Sequence, residues 1–310
     1  MGLATERVTA GASSAGGWLA RLQLRLRESS PAYILMLPFL ILFFVVIAYP
    51  FFYSIYLGFF RASLNTVPVF VGLQNYRTLF LDAVFHQALV NTIVFTAVVV
   101  VGDTVLALLL AMALNEPLHG RAIFRIAVFL PVMTSWVVVA LIWQILFNEQ
   151  GVVNTMLESV LHLKSQAWFS DGAHAMGVIM AVSIWKDLGY YMIIFLAALQ
   201  GVPKELKEAA AIDGANRWQS GWHVTVPNLR PVIYFVASIA TINSMQLFTQ
   251  PYIMTQFGPL NATMPIVGLL YRTAFVNLDF GYGSAIGTVL LILLVILSFL
   301  NKKISDWMSR

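Results

Sequence analysis

Three ionisable residues, Asp103, Lys186 and Asp187, interrupt runs that are otherwise strongly apolar. A charge inside a run long enough to cross a membrane is costly and by default marks function. Ser183 and Tyr190 flank the second pair, and spacings of four and three put Ser183, Asp187 and Tyr190 on one helical face. A later apolar run is unusually polar, with Ser238, Thr241, Asn243, Ser244, Gln246, Thr249 and Gln250. With Trp185, these side chains combine hydrogen-bonding groups and flat apolar faces, the chemistry that holds a hydroxyl-rich small molecule. Ser183, Asp187, Tyr190, Asn243, Ser244 and Gln246 are therefore the candidate substrate-binding residues. The competing reading is that Asn, Ser and Thr only hold helices together. Asp103 stands alone and reads as a helix-packing or subunit-interface group rather than a proton carrier. Lys186 and Asp187 are neighbours that point in different directions, each toward a partner elsewhere.

Other chemistries lack their residues. The chain has no cysteine, which removes disulfides, thiol nucleophiles and thiolate metal sites. It has no phosphate-cradling GxxxxGK[ST] and no HExxH. His86, His119, His162, His174 and His223 are scattered, with no pair at metal-ligand spacing. No catalytic residue, metal ligand or resident cofactor is expected.

The elements that position the polar residues follow from composition. Of 310 residues, 59% are hydrophobic and 10% charged, against roughly 25% charged in soluble domains. This is an integral membrane protein, and without a basic domain it has no footprint for nucleic acid. A helical span needs about 20 apolar residues, and six candidates appear, near 32–58, 87–114, 123–147, 174–199, 231–250 and 282–300. Pro38 and Pro50 should kink the first, which is too long for a signal-peptide core and is expected to remain in the mature protein. Loop charges set orientation. Arg7, Arg21, Arg25, Arg27, Arg121, Arg125, Lys204, Lys207, Arg217, Arg230, Lys302, Lys303 and Arg310 fall on one side. Arg61, Arg77, Lys164 and Arg272 fall on the other. The bias places both termini and the 200–230 loop in the cytoplasm. Residues 1–30 form a cytoplasmic tail, with a membrane-surface helix expected over 18–28. Residues 31–300 form the membrane domain and 301–310 a second tail. Gly283 and Gly287 form a GxxxG suited to close helix packing.

The most ordered polar stretch is KEAAAIDGANRWQSGWHVTVPN, residues 207–228. Pro203 can open a helix, residues 204–212 are mostly strong helix formers, and Gly214 should end it. Trp218 and Trp222, four apart, share a face of a second short helix. A helix this short needs a docking surface to be stable. A coupling element and an amphipathic helix resting on the membrane explain these features equally well.

The stretch resembles the EAA motif of permease subunits from ATP-binding-cassette importers. The matching residues are Glu208-Ala209-Ala210, Asp213-Gly214-Ala215 and Val224-Thr225-Val226-Pro227, with valines where the family favours Ile and Leu. The runs VGLQNYRTLF, RIAVFLPVMTSWVVVALIWQILFN, WKDLGYYMIIFLAALQGVPKEL, QLFTQPYIMTQFGPLNAT and LLYRTAFVNLDFGYGSAIG extend the likeness over most of residues 30–300. The branch is that of sugar importers related to the maltose and glycerol-3-phosphate permeases. The short loop after the first span leaves out the maltose permease's large extra domain. The resemblance implies an all-α membrane protein with six transmembrane helices in the type I importer (MetI-like) fold, in the cytoplasmic (inner) membrane of a bacterium or archaeon. It implies a transport subunit, not an enzyme, with sugars or related polyols as substrate. Its partners would be a second permease, two ATP-binding subunits that hold ATP and Mg, and an extracytoplasmic solute-binding protein. Glu208, Ala209, Ala210, Asp213 and Gly214 would couple to the ATPase. Counting from Glu208, the maltose permease's sugar contacts fall near Ser183, Asp187, Tyr190, Ala240, Asn243, Ser244 and Leu247. An ion-coupled secondary transporter, using Asp103, Lys186 and Asp187, is the alternative function.

Overall fold

A computed structural model describes residues 35–64, 66–116 and 119–308. The surface helix expected over 18–28 lies outside the described residues. The chain divides into two compact units, Met1–Ser54 and Ile55–Arg310. The opening helix α1 (Leu35–Leu57), which belongs to the first unit as far as Ser54, passes through a π-helical stretch, Phe43–Ala48. Pro50 cannot donate a hydrogen bond, and its ring crowds the carbonyl four residues back. That carbonyl belongs to the π stretch, so the expected distortion takes the form of a widened turn.

The second unit is almost wholly helical. A small antiparallel hairpin pairs β1 (Phe60–Arg61) with β2 (Val69–Phe70), in register Phe60 to Phe70. After α2 (Gln74–Leu81), Asp82 caps the long α3 (Ala83–Asn115) by accepting from the Val84 amide. The 123–147 run, expected as one span, is broken. Helix α4 (Arg121–Phe129) ends in the 3-10 turn Leu130–Met133, and α5 (Trp136–Leu146) leaves at 100° to it. Hydropathy is continuous across this break and cannot register it. The local cause is Pro131, which has no amide to donate, followed by Ser135, whose side chain caps α5.

The fourth span is regular: α7 (Gly172–Leu199), capped by Asp171, follows the short α6 (Val152–Ser159). The polar stretch then forms α8 (Lys204–Ile212) and α9 (Arg217–Asn228). Helix α10 (Arg230–Met245) is bent 70° from α9. It stops at Met245, five residues short of the expected 250, and α11 (Thr249–Thr255) begins a separate short helix. A further apolar helix, α12 (Ile266–Val276), belongs to none of the expected spans. Helix α13 runs unbroken from Phe280 to Met308, so residues expected as a tail after 300 prolong it. Four helices are long and apolar enough to cross a membrane, or six if each bent pair counts as one span.

Three packed clusters hold this unit. Ala107, Ala111, Phe195, Leu199 and Val236 join α3, α7 and α10. Leu79, Phe85, Ile266, Leu269 and Ile286 join α2, α3, α12 and α13. Phe95, Val139, Ile179 and Met254 join α3, α5, α7 and α11. Gly283 faces Ala274, so the GxxxG works within the chain, against α12. Gly189 brings α7 against the backbone of α4, where an added Cβ would sit 2.3 Å from the Val128 carbonyl oxygen. Gly189→Val should therefore destabilise the protein by about 1–3 kcal/mol, read as a lower unfolding midpoint in detergent. An unchanged midpoint would show that this contact is not close.

Candidate functional site

Where α3, α5, α7 and α10 converge, a cavity of about 380 Å³ opens. Helix α7 contributes Ser183, Asp187 and Tyr191, and the end of α10 contributes Asn243 and Ser244. The non-helical stretch beyond it adds Gln246, Leu247 and Phe248, and the start of α11 adds Thr249 and Gln250. Phe95 and Val99 of α3 and Trp136 of α5 supply apolar faces. The site thus forms where two spans lose helical geometry, at Trp136 just after the α4–α5 break and at Gln246–Phe248 before α11.

Five of the six candidate binding residues line this cavity: Ser183, Asp187, Asn243, Ser244 and Gln246. Tyr190 does not. It is 42% exposed and stacks edge-on against Tyr191, at 5.2 Å between centroids. Tyr191 lines the cavity instead, four residues beyond Asp187 where Tyr190 is three. Both spacings suit one helical face, and packing selects the stripe Ser183–Asp187–Tyr191. Trp185 also lies outside, edge-on to Trp143 at 5.2 Å. Trp136 and Phe248 take its part as flat surfaces, and sequence spacing gave no signal for either. Asn243 donates to the Tyr191 hydroxyl at 3.4 Å, tying α10 to α7. Ser183 donates to the Ile179 carbonyl and Gln246 to that of Ile242. Ala240 is buried in the core, while Leu247 lines the cavity.

Of the two neighbouring charges, only Lys186 shows the partners elsewhere that were expected. It is 4% exposed and is not among the cavity's lining residues. Its Nζ lies 3.5 Å from the Val132 carbonyl and 4.6 Å from the centre of the Trp136 ring. It thus steadies both sides of the α4–α5 break with a charge–dipole and a cation–π contact. Asp103, 1% exposed on α3, keeps one carboxyl oxygen without a hydrogen-bond partner. Among the described residues no group of three His, Cys, Asp or Glu is placed to hold a metal.

The second feature is the α8–α9 loop. Pro203 precedes α8, and Gly214, at φ +84°, follows its end. The Ala215 amide donates to the Ala210 carbonyl and the Gly214 amide to that of Ala211, the paired bonds of a Schellman stop. Asn216 and Gln219 then form a reciprocal capping box for α9. Trp218 and Trp222 meet edge-on at 5.6 Å. Gly221 nests on Met112 of α3, and Arg217 pairs with Glu116 at 3.5 Å. Glu208, Ala209, Asp213 and Gly214 are exposed and Ala210 is half-buried. Ile212 is 86% exposed, and Leu206 and Trp218 are also exposed.

Residues 103–310, which include the loop and all of the cavity lining except Phe95 and Val99, match the model of the family described as "Binding-protein-dependent transport system inner membrane component". The chain belongs to this family. This permease is a multi-pass inner-membrane transport subunit and not an enzyme. It is 35% identical over 283 residues to the arabinooligosaccharides transport system permease of Bacillus subtilis, covering 90% of this chain and 89% of that one. It is 35% identical over 237 residues to the multiple sugar-binding transport system permease of Streptococcus mutans, covering 76% and 81%. It is 36% identical over 237 residues to the lactose transport system permease of Rhizobium radiobacter, covering 75% and 80%. Its fold matches a chain of a bacterial importer of the acidic polysaccharide alginate, with TM-score 0.83 at 23% identity over 94% of this permease and 100% of that chain. The all-helical importer-permease fold expected from the sequence is therefore the fold observed.

If the Ser183–Asp187–Tyr191 stripe is the working face, Tyr191→Phe should lower transport by roughly threefold to tenfold, the worth of one hydrogen bond. Tyr190→Phe should leave uptake unchanged. Equal uptake by both variants in reconstituted vesicles would dissociate Tyr191 from the site.

Proposed function

We propose that this permease forms half of the translocation pathway of an ATP-driven importer of sugars or related polyols. The observation that carries the reading is the continuity of α7, the exposed α8–α9 loop and α10. A load on the loop acts directly on the two helices that supply the cavity's polar residues. Relatives named for arabinooligosaccharides, multiple sugars and lactose support the substrate class. The cavity's amides, hydroxyls, carboxylate and aromatic rings suit hydroxyl-rich rings.

The remaining machinery belongs to partners. A second permease completes the pathway as a heterodimer, two ATP-binding subunits hold ATP and Mg, and an extracytoplasmic binding protein delivers the substrate. A neighbouring structure of the alginate importer includes its periplasmic protein with bound alginate pentasaccharide, which supports a partner of that kind. The loop and both termini face the cytoplasm, as the positive charges favour. In the docked state, Glu208 pairs at the ATPase rim, Ala209 and Ala210 permit close approach, and Asp213 and Gly214 set the turn. Closure of the ATPase pair tilts α7 and α10 and exposes the cavity to alternate sides, with no chemistry on the substrate.

Proteoliposomes holding the full complex should accumulate sugar with ATP and not without it, and uptake without ATP would favour an ion-coupled transporter. Glu208→Lys and Gly214→Asp should each lower uptake at least about tenfold while the ATPase of the purified complex persists. Both positions are exposed, and nothing lies within 4 Å of an added Cβ at Gly214, so folding of the permease should survive. Normal uptake in both variants would remove the loop from the coupling path.

A further inference from the structure

The cavity's polar lining carries one formal charge, the carboxyl of Asp187, and no lysine, arginine or histidine is among its lining residues. Lys186, the neighbour of Asp187 in sequence, is not among the lining residues: its Nζ lies at the Val132 carbonyl and over the Trp136 ring. A molecule in the cavity therefore meets the Asp187 carboxyl in the wall and the lysine charge only from outside it, so the lone lysine of this run is not a direct contact for an anionic substrate. Away from bulk water such fields are weakly screened. Low-dielectric walls lined by one sign of charge concentrate ions of the opposite sign and repel like ones.

We propose that Asp187 is a charge-selecting residue. It holds the cavity at negative potential, so that uncharged or cationic hydroxyl-rich substrates enter and acidic sugars such as uronates are excluded. This rests on the cavity being the substrate path of a sugar importer. The same fold serves an importer of an acidic polysaccharide, so the sign of the accepted charge is set by the lining and not by the architecture. Asp187 also remains a hydrogen-bond acceptor for neutral hydroxyls, so one side chain both binds and discriminates.

The native chain contains no cysteine, so its own potential can be read with introduced thiols. Asn243→Cys and Gln246→Cys report from the cavity wall, and Ile212→Cys reports from the exposed loop. Each is labelled in the reconstituted full complex, with and without ATP, and the complex holding the native permease sets the background from the partners. The probes are a cationic and an anionic methanethiosulfonate. The thiolate attacks the reagent's thiol sulfur, forms a mixed disulfide and releases methanesulfinate. The cation-to-anion rate ratio at the two cavity positions, normalised to that at Ile212→Cys, is expected to be about tenfold or more. It should fall toward one in the isosteric Asp187→Asn background. A ratio near or below one, a ratio unmoved by Asp187→Asn, or no labelling in either nucleotide state would each overturn the proposal. The comparison of cavity with loop needs no Asp187 variant, so it survives if that variant fails to assemble. The substrate half is read separately. Uptake of a neutral oligosaccharide but not its uronate counterpart, with the uronate admitted by Asp187→Asn, supports it. Uptake of both by the native complex overturns charge selection while leaving sugar import standing, whereas ATP-driven uptake of neither overturns the sugar reading itself.

Discussion

In a membrane protein, backbone that leaves helical geometry must find its hydrogen-bond partners within the protein or in a cavity it lines. The second unit is organised around that constraint. Its third span breaks at Pro131–Ser135, and its fifth gives way at Gln246–Phe248 to a short helix and an irregular turn. At the first break, Lys186 reaches the Val132 carbonyl and the Ser135 side chain caps the next helix. Beyond the second, Asn91 of α3 donates to the carbonyls of Asn261 and Met264, and the Thr92 hydroxyl accepts from the Ile266 amide. Arg272 donates to the Asn261 side chain, and Thr263 donates to the Gly258 carbonyl. The polar residues of α3 are thus largely scaffold.

The cavity is a product of those breaks. A continuous third span would carry Trp136 past this level, and a continuous fifth would keep Gln246–Gln250 on a helix. Breaking both turns an aromatic ring and several amide or hydroxyl side chains toward α7. The resulting space has a mixed wall, in which Phe95, Val99, Trp136, Leu247 and Phe248 are interleaved with a larger number of polar side chains. It is more polar than the mainly apolar wall of an ordinary small-molecule pocket, as a hydroxyl-rich ligand requires.

The exposed loop follows different physics. Its helix ends are satisfied locally, by the Schellman bonds at Gly214 and the capping box of Asn216 and Gln219. It therefore holds its shape with little help from neighbours and can leave Leu206, Ile212 and Trp218 open to a partner. Its ties to the membrane helices are few. They include the seat of Gly221 on Met112 and the Arg217–Glu116 pair, and an exposed pair of that kind contributes little stability. A self-sufficient element joined directly to α7 and α10 suits the transmission of movement.

Features that depend on near neighbours along the chain are legible in the amino-acid order alone. Apolar run length located the regular spans α3, α7 and α13. Proline, glycine and Asx positions marked the start and stop of the loop helices, and the motif there was enough to point to the family. The turn to α5 was partly legible too, in Pro131 and Ser135, although hydropathy averaged over it. Which side of each helix is used, by contrast, is set by packing between helices. Helical periodicity allows both Tyr190 and Tyr191 to follow Asp187, and the tilt of α7 against α3 and α10 chose Tyr191. Trp136, Phe248 and the contacts of Lys186 depend on residues far apart in sequence meeting at a break. That kind of contact is fixed by packing and by the need to satisfy buried polar groups, and it leaves no local pattern to read.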